Sequence, residues 1–121
     1  MNWGISLLEQ KVRITRQGAI LLGRYVVCDG FEWDNEIAIV THIHADHTAH
    51  FERCLGYYDF IFCSPETKEL LITLEGNWLR LRRNLISLPY ENPHAYKEEC
   101  ITLYPTRHIL GSSQVLVEDQ D

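Results

Sequence analysis

Paired cysteines, long apolar runs and an excess of basic charge are all missing from this sequence. Cys28, Cys54, Cys63 and Cys100 form no Cys-x-x-Cys pair, which argues against a zinc ribbon or a thioredoxin-type redox site. They read as reduced, buried thiols of a cytoplasmic protein, with a catalytic thiol as the alternative. No apolar stretch approaches the roughly 20 residues that span a bilayer, so no membrane partner is expected. The opening "MNWGISLLEQKVRI" turns polar and charged in its second half and does not read as a secretory signal. With 11 Lys and Arg against 17 Asp and Glu, the formal charge of -6 argues against a broad polyanion-binding surface. It leaves room for a local basic patch, or for a metal that meets a phosphate. No repeat, low-complexity tract or linker divides the chain.

What is present suits one modest domain: 121 residues, 45% of them apolar, can bury a real core. "KVRIT" (11–15), "AILLG" (19–23) and "YVVCD" (25–29) are short and rich in β-branched or aromatic residues, as strands are. "IAIVTH" (37–42) and "FIFCS" (60–64) are continuous apolar runs, the mark of strands buried on both faces. Between them "HTAHFERCLGYY" (47–58) has helical composition. Ser64-Pro65 predicts a helix start, with Ser64 as cap, and Gly76 its end. A short strand is expected around 85–88, a loop over "ENPHAY" (91–96), and strands over "ITLYPT" (101–106) and "SQVLVE" (113–118). Strands alternating with single helices predict a layered α/β protein.

The densest chemistry lies in "IVTHIHADHTAH" (39–50). Four of the chain's six histidines and one aspartate fall within residues 42–50. His42 and His44 stand two apart at a strand end, where side chains i and i+2 point to one side and can reach one ion. Asp46 and His47 follow where the chain turns into the helix, and offer ligands to a neighbouring site. Crowded imidazoles repel one another on protonation unless they are exposed or bound to metal. No His-Glu-x-x-His string is present, so a metalloprotease helix is excluded. Imidazole with carboxylate suits Zn²⁺, Fe or Mn²⁺ better than Ca²⁺ or Mg²⁺. His50, one helical turn past His47, is read as a surface or supporting residue.

"THIHADH" (41–47) resembles the His-x-His-x-Asp-His signature of the metallo-β-lactamase fold, and the order of elements around it is similar. "TRHILGSSQVLVE" (106–118) resembles the third ligand motif of the nuclease branch. There β-CASP enzymes are related to mRNA 3′-end processing endonucleases and DNA-ligase-associated exonucleases. The resemblance covers nearly the whole chain and implies an αββα sandwich. It implies that His42, His44 and His108 hold one Zn²⁺, and that Asp46 and His47 hold a second. Asp46 would also orient a bridging hydroxide that attacks a phosphodiester of RNA or single-stranded DNA. Asp29 would hydrogen-bond the signature loop and orient it; the residues alone also allow a plain turn at Asp29-Gly30. Arg107, beside His108, becomes a candidate phosphate contact. Arg80, Arg82 and Arg83 read either as a second contact or as a solvated cluster.

The sequence departs from that pattern at its end. A metal-bridging aspartate, a further histidine and the inserted β-CASP domain are not found before Asp121. Residues 1–121 are therefore expected to be the N-terminal half of such a sandwich, part of a longer hydrolase and themselves inactive or nearly so. One ion or none is expected here, where two would bind the intact enzyme. A hydrolase of a small thioester, lactone or β-lactam is the alternative, and an inactive scaffold homologue the next. An unpaired inward sheet face is also expected, through which two copies would form a homodimer.

Overall fold

The computed structural model describes residues 11–43, 51–107 and 110–119. A six-stranded sheet runs in chain order through β1 (Val12–Ile14), β2 (Ile20–Leu22), β3 (Val26–Cys28), β4 (Ile37–Ile39), β5 (Phe60–Cys63) and β6 (Leu85–Ser87). β1, β2 and β3 form an antiparallel meander; β3, β4, β5 and β6 are parallel. The parallel strands need crossovers. β3 and β4 are joined by the irregular residues 29–36, β4 and β5 by a connection holding α1 (Phe51–Tyr57), and β5 and β6 by α2 (Pro65–Glu75) continued by a 3₁₀ turn at Asn77–Leu81.

α2 starts and stops where its sequence dictates. The Ser64 hydroxyl accepts the Thr67 N–H at 3.1 Å, Pro65 fills the first turn, and Gly76 ends the helix with its N–H on the Ile72 carbonyl. The continuous apolar runs serve two faces at once, because successive side chains of a strand point to opposite sides. Val27, Ala38, Ile61 and Leu85 lie side by side across the parallel strands and pack towards the helices, with Phe51, Leu55, Leu71 and Ile72. Their neighbours Val26, Cys28, Ile37, Ile39 and Phe62 face the other way.

That second face is covered. A three-stranded antiparallel sheet, β7 (His94–Tyr96), β8 (Glu99–Pro105) and β9 (Ser113–Glu118), places Ile101, Leu103, Val115 and Val117 in one apolar cluster with it. Two expectations are corrected here. "ENPHAY" is not all loop: His94–Tyr96 pairs with β8, and His94 packs edge-on against Phe62. The inward face of the first sheet is not left bare either, so a dimer through it would have to displace β8 and β9. The strands after residue 98 form their own sheet instead of extending the first. β9 alternates accordingly, with Gln114, Leu116 and Glu118 exposed on its outer side. Among the described residues no helix is long and apolar enough to cross a membrane.

Polar contacts tie the β7–β8 hairpin to the first sheet. The Tyr96 hydroxyl donates to Glu36 at 2.7 Å and to Asp59 at 3.1 Å, Lys97 Nζ donates to Glu36 at 2.7 Å, and the Tyr25 hydroxyl donates to Glu98 at 2.8 Å. The Lys97 and Tyr96 hydrogen bonds hold the Glu36 carboxyl below its ordinary range; for Glu98 the Tyr25 hydroxyl does the same. A carboxyl whose pKa is lowered by folding stabilises the fold above its unfolded pKa and ceases to do so as pH falls through its folded value. Urea midpoints should therefore drop below about pH 5, and Glu36→Gln should remove part of that drop. An identical pH profile in Glu36→Gln would show that the hairpin contact carries no pH-dependent stability.

Candidate metal centre

The first histidine motif begins where β3 and β4 end side by side. Cys28 pairs with Ile39, so Asp29 emerges next to Val40 and Thr41. Asp29 sits in the left-handed region (φ 55°), which Asp tolerates better than most residues, and its N–H donates to the Ile39 carbonyl at 3.0 Å. This turn points the carboxylate along the signature segment. Its Oδ1 accepts the Thr41 N–H at 2.9 Å and its Oδ2 accepts the Thr41 hydroxyl at 2.5 Å. Thr41 Oγ1 in turn lies 2.8 Å from His42 Nδ1.

The proton count along this chain fixes the imidazole. Thr41 has one hydroxyl proton and gives it to Asp29, so Oγ1 must accept from His42 Nδ1–H. The lone pair of the neutral ring is then on Nε2, the state a metal ligand requires. A carboxylate–hydroxyl–imidazole chain of this kind orients a ligand and raises its basicity. His42 therefore fits a metal-ligand role.

His44, Asp46, His47, His50 and His108 lie outside the described residues. Among the described residues, no group of three His, Cys, Asp or Glu side chains could hold a metal ion. The segments flanking the two histidine motifs do meet: the Ser113 N–H donates to the Thr41 carbonyl at 2.7 Å. Thr106 and Ser112 are held together by the Thr106 N–H on the Ser112 carbonyl at 3.1 Å, and by a hydrogen bond between their hydroxyls. Thr41 and Ser113, the first residue of one motif and the last of the other, are thus in contact although far apart in sequence.

Two-sheet packing and this placement of motifs can be set beside known structures. No protein-family model matches the chain, and no curated protein matches it in sequence. In three dimensions it is similar to a motif mutant of a metallo-β-lactamase from Cronobacter sakazakii (TM-score 0.60, 14% identity, 83% of this chain and 52% of that one). It is similar to the metallo-β-lactamase fold protein YhfI from Bacillus subtilis (TM-score 0.59, 16% identity, 84% and 49%). Igni18, a metallo hydrolase from the hyperthermophilic archaeon Ignicoccus hospitalis, also matches (TM-score 0.55, 12% identity, 84% and 51%). The chain has the metallo-β-lactamase fold. It spans about half the length of these structures.

Within this fold the remaining candidates separate. Arg107 is exposed at the start of the third-motif turn, available to an incoming anion. The "WLRLRR" cluster is mostly committed elsewhere. Arg80 forms a two-pronged pair with Glu69 at 3.0 and 3.3 Å, and Arg82 donates to the Leu55 carbonyl at 2.5 Å. Burial pushes the Cys28 thiol far up, Cys63 to about 12 and Cys54 to about 11, so none of these three is a ready nucleophile at neutral pH. All four cysteines are free. Thr41 is the residue that sequence reading missed. Its signal was its place: the residue before the first signature histidine, on a strand adjacent to the one ending in Asp29.

Proposed function

We propose that residues 1–121 form the first half of the catalytic domain of a metal-dependent phosphodiester hydrolase of the β-CASP type, acting on RNA or single-stranded DNA. The observation that carries this reading is the Asp29–Thr41–His42 chain, joined through Ser113 to the turn of a His-x-Leu-Gly-Ser motif. His42, His44 and His108 would hold one Zn²⁺, and Asp46 and His47 a second, with further ligands from the part of the domain beyond this half. Bound ions of this type supply Lewis acidity towards phosphoryl oxygens. The chain's own residues do the rest. Asp29 and Thr41 hold His42 in one tautomer and one direction. Asp46 would orient the attacking water or hydroxide as well as bind metal. Arg107 offers a planar fork to a substrate phosphate. A cytoplasmic location belongs to the same proposal.

The test is the full-length protein incubated with labelled single-stranded RNA and DNA, and separately with a chromogenic β-lactam and a thioester. Zinc-dependent cleavage of nucleic acid, lost in His42→Ala, is expected; the 121 residues alone should be far slower. Hydrolysis of the β-lactam or thioester with the nucleic acid intact would replace the nuclease reading by that of a small-molecule hydrolase. Failure on every substrate, with metal bound, would leave a scaffold homologue.

A further inference from the structure

A hydroxyl pair at the start of α2 grips the third-motif turn from behind. The Gly111 carbonyl accepts the Ser64 hydroxyl at 2.7 Å and the Thr67 hydroxyl at 2.8 Å, and both side chains are fully buried. Three hydroxyls converge on this one carbonyl: Ser64 and Thr67 make the two short hydrogen bonds, and the Ser113 hydroxyl adds a longer one at 3.3 Å. The grip is close enough to dictate the residue type. Gly111 has φ 82°, and a Cβ there would stand 2.6 Å from Thr67 Oγ1 and 2.8 Å from Thr67 N. Glycine is thus required twice, for its backbone angle and for the approach of the helix.

Helix capping does not explain the Thr67 hydroxyl. Ser64 already caps α2 by accepting the Thr67 N–H, and Pro65 occupies the first turn. The Thr67 oxygen is spent on Gly111 instead. From Gly111 the connection continues in two residues to Ser113, whose N–H holds the Thr41 carbonyl at 2.7 Å, and Thr41 holds His42. Gly111 is three residues from His108 in sequence. The helix start is therefore linked by hydrogen bonds to the segment of the third motif and, through Thr41, to the first.

We infer that Thr67, assisted by Ser64, is a positioning residue of the metal centre: it sets the third-motif turn against the signature loop through the Gly111 carbonyl. The inference rests on the metal-centre reading proposed above. It requires that the hydroxyl, not the bulk of the side chain, matter.

Thr67→Val removes the hydroxyl and keeps the shape; Thr67→Ser keeps the hydroxyl. Zinc affinity measured by chelator competition should fall roughly 10-fold or more in Thr67→Val, the size seen when outer partners of ligands are removed. The visible spectrum of the Co²⁺-loaded protein should change with it. Thr67→Ser should stay within about twofold of the wild type, well inside that outer-partner range. Thermal unfolding of the metal-free proteins reports any loss of fold separately. Ser64→Gly, a mild change at a helix cap, removes the other donor and should weaken zinc binding in the same direction even if Thr67→Val does not fold. Wild-type affinity and spectrum in Thr67→Val, or in Ser64→Gly, would overturn the inference, as would equal losses in Thr67→Ser and Thr67→Val. All of these measurements use the full-length protein, and a full-length wild type that takes up neither zinc nor cobalt would overturn the metal-centre reading and this inference with it.

Discussion

Asp29→Asn should cost zinc affinity about as much as Asp29→Ala, on the order of 10- to 100-fold, the range for removing an outer partner of a ligand. The two variants damage the site by the same route despite their different shapes. In the native chain the carboxylate accepts two hydrogen bonds from Thr41, one from N–H and one from the hydroxyl. An asparagine can accept only one of them. If its oxygen takes the Thr41 N–H, its amide nitrogen faces Thr41 Oγ1 as a donor. The Thr41 proton then turns towards His42 Nδ1, and the neutral imidazole must carry its own proton on Nε2. Alanine releases the same proton with no replacement acceptor. In either case the tautomer that presents Nε2 to a metal is no longer the favoured one.

The pair also separates chemistry from fold. Position 29 has φ 55°, which asparagine tolerates and alanine resists at a cost of roughly 1–2 kcal/mol. Asp29→Asn should therefore keep a thermal midpoint nearer the wild type than Asp29→Ala, while binding zinc as poorly. Competition with a chromophoric chelator and thermal unfolding of the metal-free proteins measure the two quantities. Tight zinc binding by Asp29→Asn would show that the proton chain through Thr41 does not govern the ligand.

How much of this was legible beforehand follows from the range of each interaction. The continuous apolar runs announced β4 and β5 because burial on both faces leaves no polar positions. The Ser64-Pro65 start and the Gly76 stop were readable because a cap acts within four residues. The histidine motif stands out in the sequence because its candidate ligands from His42 to His47 share one segment. Thr41 and Thr67 were not, since each has its meaning from a partner brought close only by the fold: Asp29 for one, Gly111 for the other. The arginine cluster could not be told from a solvated one or a phosphate contact for the same reason. Glu69 and the Leu55 carbonyl, which occupy Arg80 and Arg82, are distant in sequence. β7 was hidden by its composition. Asn92 and Pro93 signal a turn, and only pairing with β8 draws His94–Tyr96 into a strand. Most consequential was the second sheet. Two of its strands were visible as strands, but nothing local said that they would leave the first sheet and pack upon it.

That packing makes the last prediction a large one. Leu103 is fully buried on β8, the central strand of the second sheet, in the cluster that holds Cys28, Ile39 and Phe62 of the first. Leu103→Ala should lower unfolding stability by about 2–5 kcal/mol in urea, the sum of lost transfer energy and the cavity left behind. Leu116 lies on the neighbouring strand β9, but on the outer face and 40% exposed. Leu116→Ala should cost no more than about 0.5 kcal/mol. Loosening β8 also uncovers the apolar face of β3, β4 and β5, which a soluble chain does not leave bare. Sedimentation of Leu103→Ala at micromolar concentration should then show association that the wild type lacks. Association by the native protein, with Leu103→Ala no less stable than Leu116→Ala, would mean that the second sheet does not cover the first in solution. The inward face would then be the dimer surface expected from the sequence.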